Sequence, residues 1–348
     1  MQLPQLPPRP AVSVVVAARD AARLLPRALR SAVEQDHSIV DVVIAVGPSS
    51  DGTRAVAEGF ARDVHAGGSD APAVLVIDNP AGSTPAGLNA AIAASHGEVV
   101  VRLDAQAKFP PGYVARAVEL LRETGAANVG GLQVPVAEDG FAASVAAAMG
   151  SWFGAGGARY RVGGAPGNVE TVYLGVFRRA ALDAVGGFDP RLERNQDYEL
   201  NHRLRAAGGR VYFHPDLAVE YTPRGSVGAL WRQYHAYGSW KRQVVVMHPR
   251  SLRWRQLAPP LLVVAVVATG AAAVASGVTA PFVVVVGTYT AALATAATMA
   301  ARRPALAPGT AAALFVMHAA WGIGFLVGGL RRGGRRRPAD SSGAGPLR

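Results

Sequence analysis

Residues 13–47 read SVVVAARDAARLLPRALRSAVEQDHSIVDVVIAVG, and this stretch decides the fold class. Two apolar runs, SVVVAA at 13–18 and VDVVIAVG at 40–47, have the length and composition of buried strands. Between them, leucine, alanine and valine recur at helical spacing in LLPRALRSAVEQ, residues 24–35. A strand, a helix and a second strand in this order predict a parallel sheet covered by helices.

The same alternation continues toward the C-terminus. A helical pattern follows SSDGT (49–53), and after it come the strand AVLVIDN (73–79), a helix around Pro85–Ser95 and the strand EVVVRLDA (98–105). Ligands bind such sheets at the carboxyl ends of the strands. We therefore expect one edge of the sheet to collect the polar residues that follow these strands, which are Arg19, Asp20, Ser49, Ser50, Asp51, Asp104 and Gln106.

Charge is divided unevenly along the 348 residues, whose formal net charge is +11. Residues 1–220 carry 20 basic and 23 acidic side chains, whereas residues 221–348 carry 15 basic side chains and one acid, Asp340. A nucleic-acid-binding protein would show a basic face on its folded domain, and residues 1–220 show none. The chain has no cysteine, which excludes disulfides, thiolate metal sites and a cysteine nucleophile.

The basic C-terminal third is also the most apolar part of the chain. Residues 257–299 carry no charged side chain and predict two membrane spans of about 20 residues each. Seven basic residues and no acid lie between 221 and 256, so the positive-inside rule places residues 1–256 on the cytoplasmic side of the plasma membrane. A third apolar segment, about 306–330, ends at RRGGRRR (331–337). Crossing would carry these arginines outside, so a spanning and an interfacial or re-entrant arrangement both remain open.

The order of motifs over residues 11–245 resembles the family-2 inverting glycosyltransferases of the GT-A fold. Within that family the chain is most similar to the membrane-bound glucosyltransferases of succinoglycan-type exopolysaccharide synthesis. The motifs are VSVVVAARDAARLLPRALRSAVEQ (12–35), SSDGT (49–53), NPAGSTPAGLNAAI (79–92), VVVRLDAQAKFPPGYV (99–114), VGGFDPRLERNQDYELNHRLRAAGG (185–209) and YTPRGSVGALWRQYHAYGSWK (221–241).

The resemblance implies an α/β fold of GT-A type, with a Rossmann-like mixed sheet, followed by transmembrane helices. The predicted organisation is a disordered N-terminus (1–10), a cytoplasmic GT-A domain (11–220), a basic interfacial helical segment (221–256), a membrane region (257–330) and a basic flexible tail (331–348).

The resemblance also implies a donor site at the sheet edge. Asp104 stands where the family's DxD motif begins, so its carboxylate is expected to contact the donor ribose or a divalent cation, Mg²⁺ or Mn²⁺. The third motif position is Gln106, whose amide oxygen can coordinate a cation without adding charge. Asp104 can alternatively belong to an ordinary strand-end turn. Ala17, Arg19 and Asp20 are expected to line the nucleotide pocket, and Asp51 either contacts the donor or caps the next helix.

Asp197 is the candidate catalytic base. It aligns with the family's acidic pair before a helix, and would accept the proton of the acceptor hydroxyl in a single, inverting displacement. The alternative is that Asp197 caps that helix. Glu199 is interpreted as a helix-surface or supporting group.

Two further segments are candidates for binding the acceptor or a diphosphate. Gln233, Tyr237 and Trp240 lie at helical spacing where the family's QxxRW motif occurs, and either contact the diphosphate and acceptor or anchor an interfacial helix. Arg159 and Arg161, in the glycine-rich stretch 151–164, either bind a lipid diphosphate or belong to a mobile loop.

The resemblance, together with the apolar C-terminal third, implies a membrane-anchored inverting glycosyltransferase that transfers a hexose, glucose from UDP-glucose, to a polyprenyl-diphosphate-linked saccharide. Membrane lipids are expected partners and nucleic acid is not. One alternative is a polyprenyl-phosphate sugar synthase, whose acceptor is the bare lipid phosphate. A second is a non-catalytic protein that binds anionic lipid or nucleic acid, and a third is a degenerate transferase, since Gln106 and Val46-Gly47 depart from the family pattern.

Overall fold

The computed structural model describes residues 1–37, 39–68 and 71–328. Its strands are β1 (Val12–Ala18), β2 (Ile39–Val46), β3 (Ala73–Asp78), β4 (Val99–Asp104), β5 (Asn128–Gly131), β6 (Gln133–Pro135), β7 (Gly167–Asn168), β8 (Tyr173–Arg178), β9 (Val211–Phe213) and β10 (Val219–Tyr221). Its α-helices are α1 (Leu25–Val33), α2 (Thr53–Ala66), α3 (Thr84–Ala94), α4 (Tyr113–Thr124), α5 (Gly140–Gly150), α6 (Trp152–Ala155), α7 (Arg159–Val162), α8 (Arg179–Val185), α9 (Gln196–Ala206), α10 (Val227–Met247), α11 (Ala258–Ser276), α12 (Ala280–Ala300) and α13 (Ala307–Val327). Short 3-10 helices cover Pro249–Ser251, Trp254–Leu257 and Pro304–Leu306.

Eight strands form one mixed sheet in the order β3-β2-β1-β4-β8-β5-β9-β7. The four N-terminal strands β1 to β4 are parallel, which confirms the prediction from residues 13–47 and its continuation. β8 then runs antiparallel to β4 and β5, and β9 runs parallel to β5. β6 and β10 pair separately as a two-stranded ribbon.

Both faces of the main sheet are buried. Val14 and Val16 of β1 pack into the cluster that includes α1 and α4, whereas Val15 faces the opposite cluster with α3, α8 and α9. A strand covered on both sides needs apolar residues at every position, and this explains the continuous runs of valine in the sequence.

The N-terminal residues 1–10 have no helix or strand, as their prolines suggest, and several of them contact the domain. Leu3 and Leu6 pack against the two sides of the sheet, and the Arg178 guanidinium donates to the carbonyl of Pro4 at 2.8 Å. Without regular secondary structure, these contacts leave no periodic pattern in the sequence.

Three C-terminal helices are long and apolar enough to cross a membrane, within the described residues. Their candidate spans differ in burial: 6% of the apolar window is buried in both Trp254–Ser276 and Ala280–Ala300, but 44% in Pro304–Val327. The first two therefore present nearly their whole surface outward, as lipid-facing helices do. The predicted tail 331–348 lies outside the described residues.

Helix α13 is more buried than α11 and α12 because it packs on α5 and α10 as well as on those two helices. Near its beginning, the Ser144 hydroxyl of α5 donates to the carbonyl of Leu306 at 3.5 Å. Near its end, a Cβ added to Gly324 would collide with the carbonyl of His235 in α10. The Arg242 guanidinium of α10 also donates to the carbonyl of Leu326. Small residues let the two helix backbones approach closely, as in helix pairs within membranes.

Candidate active site

The loops after the parallel strands meet at one edge of the sheet, as predicted. Asp20, held at φ +46°, accepts hydrogen bonds from the backbone N–H of Ser50 at 2.9 Å and from its hydroxyl at 3.2 Å. The guanidinium of Arg19 donates to the carbonyl of Gly82 at 3.5 Å. Ala17 lies directly opposite Asp104 in the register of β1 and β4. The loops after β1, β2 and β3 are therefore held together beside Asp104.

Asp51 links two of these loops. Its carboxylate accepts hydrogen bonds from the backbone N–H of Ala22 at 2.9 Å and from that of Thr53, the first residue of α2, at 3.1 Å. The hydroxyl of Thr53 and the N–H of Ala22 lower the pKa of this carboxyl. Both oxygens thus have partners within the protein, and Asp51 holds the β1 loop against the start of α2.

Asp104 ends β4 and is engaged by the guanidinium of Arg102. The Nε and Nη2 atoms of Arg102 donate to Asp104 Oδ1 at 2.9 and 2.8 Å. The arginine side chain is only 5% exposed, and that of Asp104 is 20% exposed. Arg102 comes from the middle of the apolar run VVVRLD, which places its cation inside the sheet.

The third nitrogen of Arg102, Nη1, pairs with Asp197 in the first turn of α9. The two acids predicted from separate motifs are therefore brought to a single guanidinium. Partial burial raises the pKa of the Asp197 carboxyl and the charge of Asp104 raises it further, whereas Arg102 acts in the opposite direction. A base with a raised pKa is better matched to proton transfer near neutral pH.

The residues at this edge fit a divalent cation shared with a substrate. Within residues 1–37, 39–68 and 71–328, no three acidic, histidine or cysteine side chains lie close enough to hold a metal by themselves. Mg²⁺ is commonly held by one or two carboxylates together with substrate phosphates. Asp104 Oδ1 faces Arg102, so Oδ2 is the oxygen left for a cation, and Gln106 is exposed two residues further on.

Helix α9 is tied to the segment that leads into the apolar helices. Glu199, expected on the helix surface or as a supporting group, is in fact 1% exposed and pairs with Arg203 at 2.6 Å. Three bonds tie α9 and the residue before it to α10 and the segment after α10: Asn195 Nδ2 donates to the carbonyl of Tyr237 (3.1 Å), the Tyr198 hydroxyl donates to the carbonyl of Ser251 (2.6 Å), and His248 Nε2 bonds Glu199 Oε1 (3.0 Å).

A cluster of tyrosines around Arg161 lies between α7 and α10. Arg161 Nη1 donates to the Tyr234 hydroxyl at 3.0 Å, and its guanidinium carbon lies 5.5 Å from the centre of the Tyr160 ring. Burial raises the pKa of Tyr234 to about 12, so this hydroxyl stays neutral. Among the described residues, no carboxylate oxygen comes within 4.0 Å of Arg161. The cluster thus holds a cation that its own side chains do not neutralise.

Of the acceptor-site candidates, Gln233 and Tyr237 belong to this cluster, whereas Trp240 and Arg159 lie outside it. Gln233 Nε2 donates to the hydroxyls of Tyr221 at 3.0 Å and Tyr237 at 3.1 Å, and Gln233 Oε1 is buried with no partner among the described residues. Trp240 is half-buried one turn further on and makes none of these contacts. Arg159 is exposed and donates to the carbonyl of Ala165 at 3.1 Å instead.

A family model described as "Glycosyltransferase like family 2" matches residues 8–237. The chain belongs to this family. This glycosyltransferase is also similar to the "Succinoglycan biosynthesis protein ExoA" of Rhizobium meliloti (strain 1021). The two chains are 35% identical over 288 residues, which cover 82% of this chain and 84% of the relative.

Solved glycosyltransferase structures share the fold. The mannosyltransferase PcManGT from Pyrobaculum calidifontis, solved with GDP-Man and Mn²⁺, superimposes with a TM-score of 0.62 at 22% identity and covers 92% of this chain and 89% of its own. Residues 1–349 of S. aureus TarS give a TM-score of 0.50 at 14% identity, covering 89% of this chain and 90% of that one. The mixed α/β sheet of this glycosyltransferase is therefore of the GT-A type, as the motif order implied.

Sequence reasoning named Arg161 and Tyr237 but missed Arg102 and three further tyrosines of the cluster around Arg161, which are Tyr160, Tyr221 and Tyr234. The signal for Arg102 was present, because a lone charge inside a buried strand has to be paired. The partner tyrosines come from α7, β10 and α10, which are far apart in the chain, and only the fold brings them together.

Proposed function

We propose that this glycosyltransferase catalyses an inverting transfer of a hexose, glucose from UDP-glucose, to a polyprenyl-diphosphate-linked saccharide at the cytoplasmic face of the plasma membrane. The product would enter exopolysaccharide or cell-envelope glycan synthesis. The name of the R. meliloti relative supports the pathway, and the motif resemblance to succinoglycan-type glucosyltransferases supports the sugar.

The observation that carries the proposal is the meeting of Asp104 and Asp197 on one guanidinium. In this assignment Asp104 and Gln106 hold a divalent cation on the donor diphosphate, which neutralises the charge of the leaving group when bound. Asp197 then accepts the proton of the acceptor hydroxyl while that oxygen attacks the anomeric carbon. Ala17, Arg19 and Asp20 line the nucleotide side, and Asp51 supports their loop.

Arg161 is assigned to the diphosphate of the lipid-linked acceptor. It is a cation beside α10 that donates to the neutral Tyr234 hydroxyl, and no carboxylate of the described residues neutralises it. Guanidinium groups suit phosphate oxygens through paired hydrogen bonds. The tyrosine hydroxyls provide neutral donors around the same anion.

Changing Arg161 to Gln is expected to raise the KM for the lipid acceptor by tenfold or more, because a hydrogen bond to a charged group contributes about 1.5–3 kcal/mol. R159Q is the matched control, since Arg159 bonds a backbone carbonyl outside the cluster. Initial rates at varied acceptor concentration measure both. An unchanged KM in R161Q, or an equal rise in R159Q, contradicts the assignment.

Two spans and one interfacial helix are the membrane arrangement that we propose. α13 begins beside Ser144 of α5, and a Cβ on Gly322 would lie 2.6 Å from the carbonyl of Pro259, at the start of α11. It ends against α10. Both ends of α13 therefore contact the catalytic domain or the start of α11, on the side of the membrane region that faces that domain. These contacts support an α13 that lies along this side and does not cross. The chain then leaves α13 on the cytoplasmic side, in agreement with the positive-inside rule.

A reporter joined after Arg348 tests this topology in a bacterial host. We expect a C-terminal green fluorescent protein to fluoresce and a C-terminal alkaline phosphatase to be inactive. The matched control places each reporter after Gly277, between α11 and α12, where the phosphatase is expected to be active and the fluorescent protein dark. An active phosphatase after Arg348 shows instead that α13 crosses the membrane.

The reaction is tested by release of nucleoside diphosphate from the purified protein in lipid nanodiscs. UDP-glucose, UDP-galactose and GDP-mannose are each supplied with Mg²⁺, Mn²⁺ or a chelator. The acceptors are a polyprenyl-diphosphate monosaccharide and polyprenyl phosphate. We expect turnover only with UDP-glucose, a cation and the diphosphate-linked sugar. Turnover on polyprenyl phosphate alone identifies the chain as a polyprenyl-phosphate sugar synthase and overturns the acceptor assignment.

A further inference from the structure

Arg102 is the one buried guanidinium that joins the two acids assigned to transfer. All three of its nitrogens are directed at Asp104 and Asp197, and its side chain is 5% exposed. A buried cation is costly unless it is paired and hydrogen-bonded, so the sheet tolerates Arg102 because both carboxylates are present. The trio carries a net charge of −1 before any substrate binds.

Arg178 shows what a purely structural buried arginine does in the same sheet. It is also 5% exposed and lies on β8, but it donates to the backbone carbonyls of Pro4 at 2.8 Å and Leu121 at 2.6 Å. It therefore fastens chain segments to one another. Arg102 makes no such bond to the backbone among the described residues: its hydrogen bonds go to Asp104 and Asp197, and its guanidinium carbon lies 5.9 Å from the centre of the Phe188 ring.

We infer that Arg102 is a positioning residue for the transfer step, which fixes Asp197 through Oδ1 so that Oδ2 is presented to the acceptor hydroxyl. This inference rests on the proposed function, because it assigns Asp197 as the base. No described residue donates a hydrogen bond to Asp197 Oδ2. A carboxylate has two acceptor oxygens, and holding one of them restricts the rotation of the other.

The proton and electrons are accounted for in this arrangement. The acceptor hydroxyl gives its proton to Asp197 Oδ2, and its oxygen forms a bond to the anomeric carbon. The bond from that carbon to the donor phosphate oxygen breaks, and its electron pair leaves with the nucleoside diphosphate. Arg102 remains protonated throughout and keeps its pair with Asp104 while Asp197 is neutral. Arg102 thus holds the base Asp197 in position, as the third residue of a catalytic triad holds the base of that triad.

The test compares R102M, R102K and D197N with the double variant R102M/D197N, using kcat and KM for donor and acceptor. We expect R102M to lower kcat about 100-fold with less than a threefold change in the acceptor KM, because misplacing a catalytic group by about 1 Å costs about that much. R102K, which cannot bond both acids with a planar fork, is expected to recover at most tenfold of this loss. The double variant should be no more than threefold slower than D197N, because Arg102 acts through that residue.

R178M is the matched control for loss of a buried arginine. It is expected to lower the melting temperature while the folded fraction keeps the parent kcat.

A kcat of R102M within threefold of the parent, or a full 100-fold further loss in the double variant, overturns the inference while the proposed function stands. Parent-like activity of D197N instead overturns the base assignment of the proposed function. The melting temperature and UDP affinity of each variant identify any that is unfolded. If R102M is unfolded, R102K alone decides, and a parent-like kcat for it overturns the inference.

Discussion

D197N is expected to lower kcat by about 10³-fold while the protein remains folded, because general-base catalysis contributes about 10²–10⁴-fold. The amide keeps the shape of the carboxylate but cannot take the proton of the acceptor hydroxyl. Asp197 is one-third exposed and contacts Arg102 through one oxygen only, so its replacement removes little packing. Single-turnover rates with saturating donor and acceptor measure the loss.

The control for D197N is E193Q, which changes an exposed acid in the loop just before α9. Its rate is expected to stay within twofold of the parent. E193Q should melt within a few degrees of the parent protein, whereas D197N is expected to melt lower but to remain folded, because it removes one of the two carboxylates paired with the buried Arg102. If D197N transfers sugar as fast as E193Q, another group removes the proton, and Asp197 returns to its alternative role at the start of α9.

The second large effect is expected for D104N, with kcat/KM for the nucleotide sugar falling by about 10²–10³-fold, the range seen when a single charge-stabilising group is removed. Asp104 supplies the only carboxylate of its motif, because Gln106 occupies the third position. Its loss leaves amide oxygens alone to hold a cation on the diphosphate, and hard divalent cations bind charged oxygens better.

Titration of UDP in the presence of Mn²⁺ gives a readout that does not depend on turnover. The affinity of D104N is expected to be at least tenfold weaker than that of the parent. D78N serves as the control, because Asp78 also ends a parallel strand but is 82% exposed and pairs with Arg54. Equal UDP affinity in D104N and D78N means that the cation, if bound, is held elsewhere.

Sequence reasoning reached the parallel half of the sheet because its strands are buried on both faces. Such strands show as continuous apolar runs, and the polar residues after them had to meet at one edge. The contact between Asp20 and Ser50, from the loops after β1 and β2, agrees with this expectation. The family and the GT-A fold were reached from motif order, and the comparisons confirm both. The roles of the individual site residues remain predictions.

The antiparallel half of the sheet and the side-chain contacts around the site could not be predicted from the sequence, for a physical reason. β5, β7 and β9 are two to four residues long, and a run this short shows no readable period. Side-chain pairs such as Arg102 with Asp197 join residues 95 positions apart, and no local pattern encodes them. The third apolar segment has the composition of a span, and the sequence does not reveal that it packs on α5 and α10 and is more buried than the other two candidate spans.

The bonds that tie α9 to the segment before α11 fix the position of the Asp197 carboxylate relative to the start of that helix. Tyr198 is bonded to Ser251, seven residues before α11 begins. Under the proposed function, in which α11 crosses the membrane and Asp197 is the base, the base therefore stays at a constant height above the bilayer. A lipid-linked acceptor would present each of its hydroxyls at a height set by the number of sugars beneath it. We therefore expect a single addition per acceptor, because a sugar added at this height lifts the new chain end away from Asp197, and each successive sugar then requires a different enzyme.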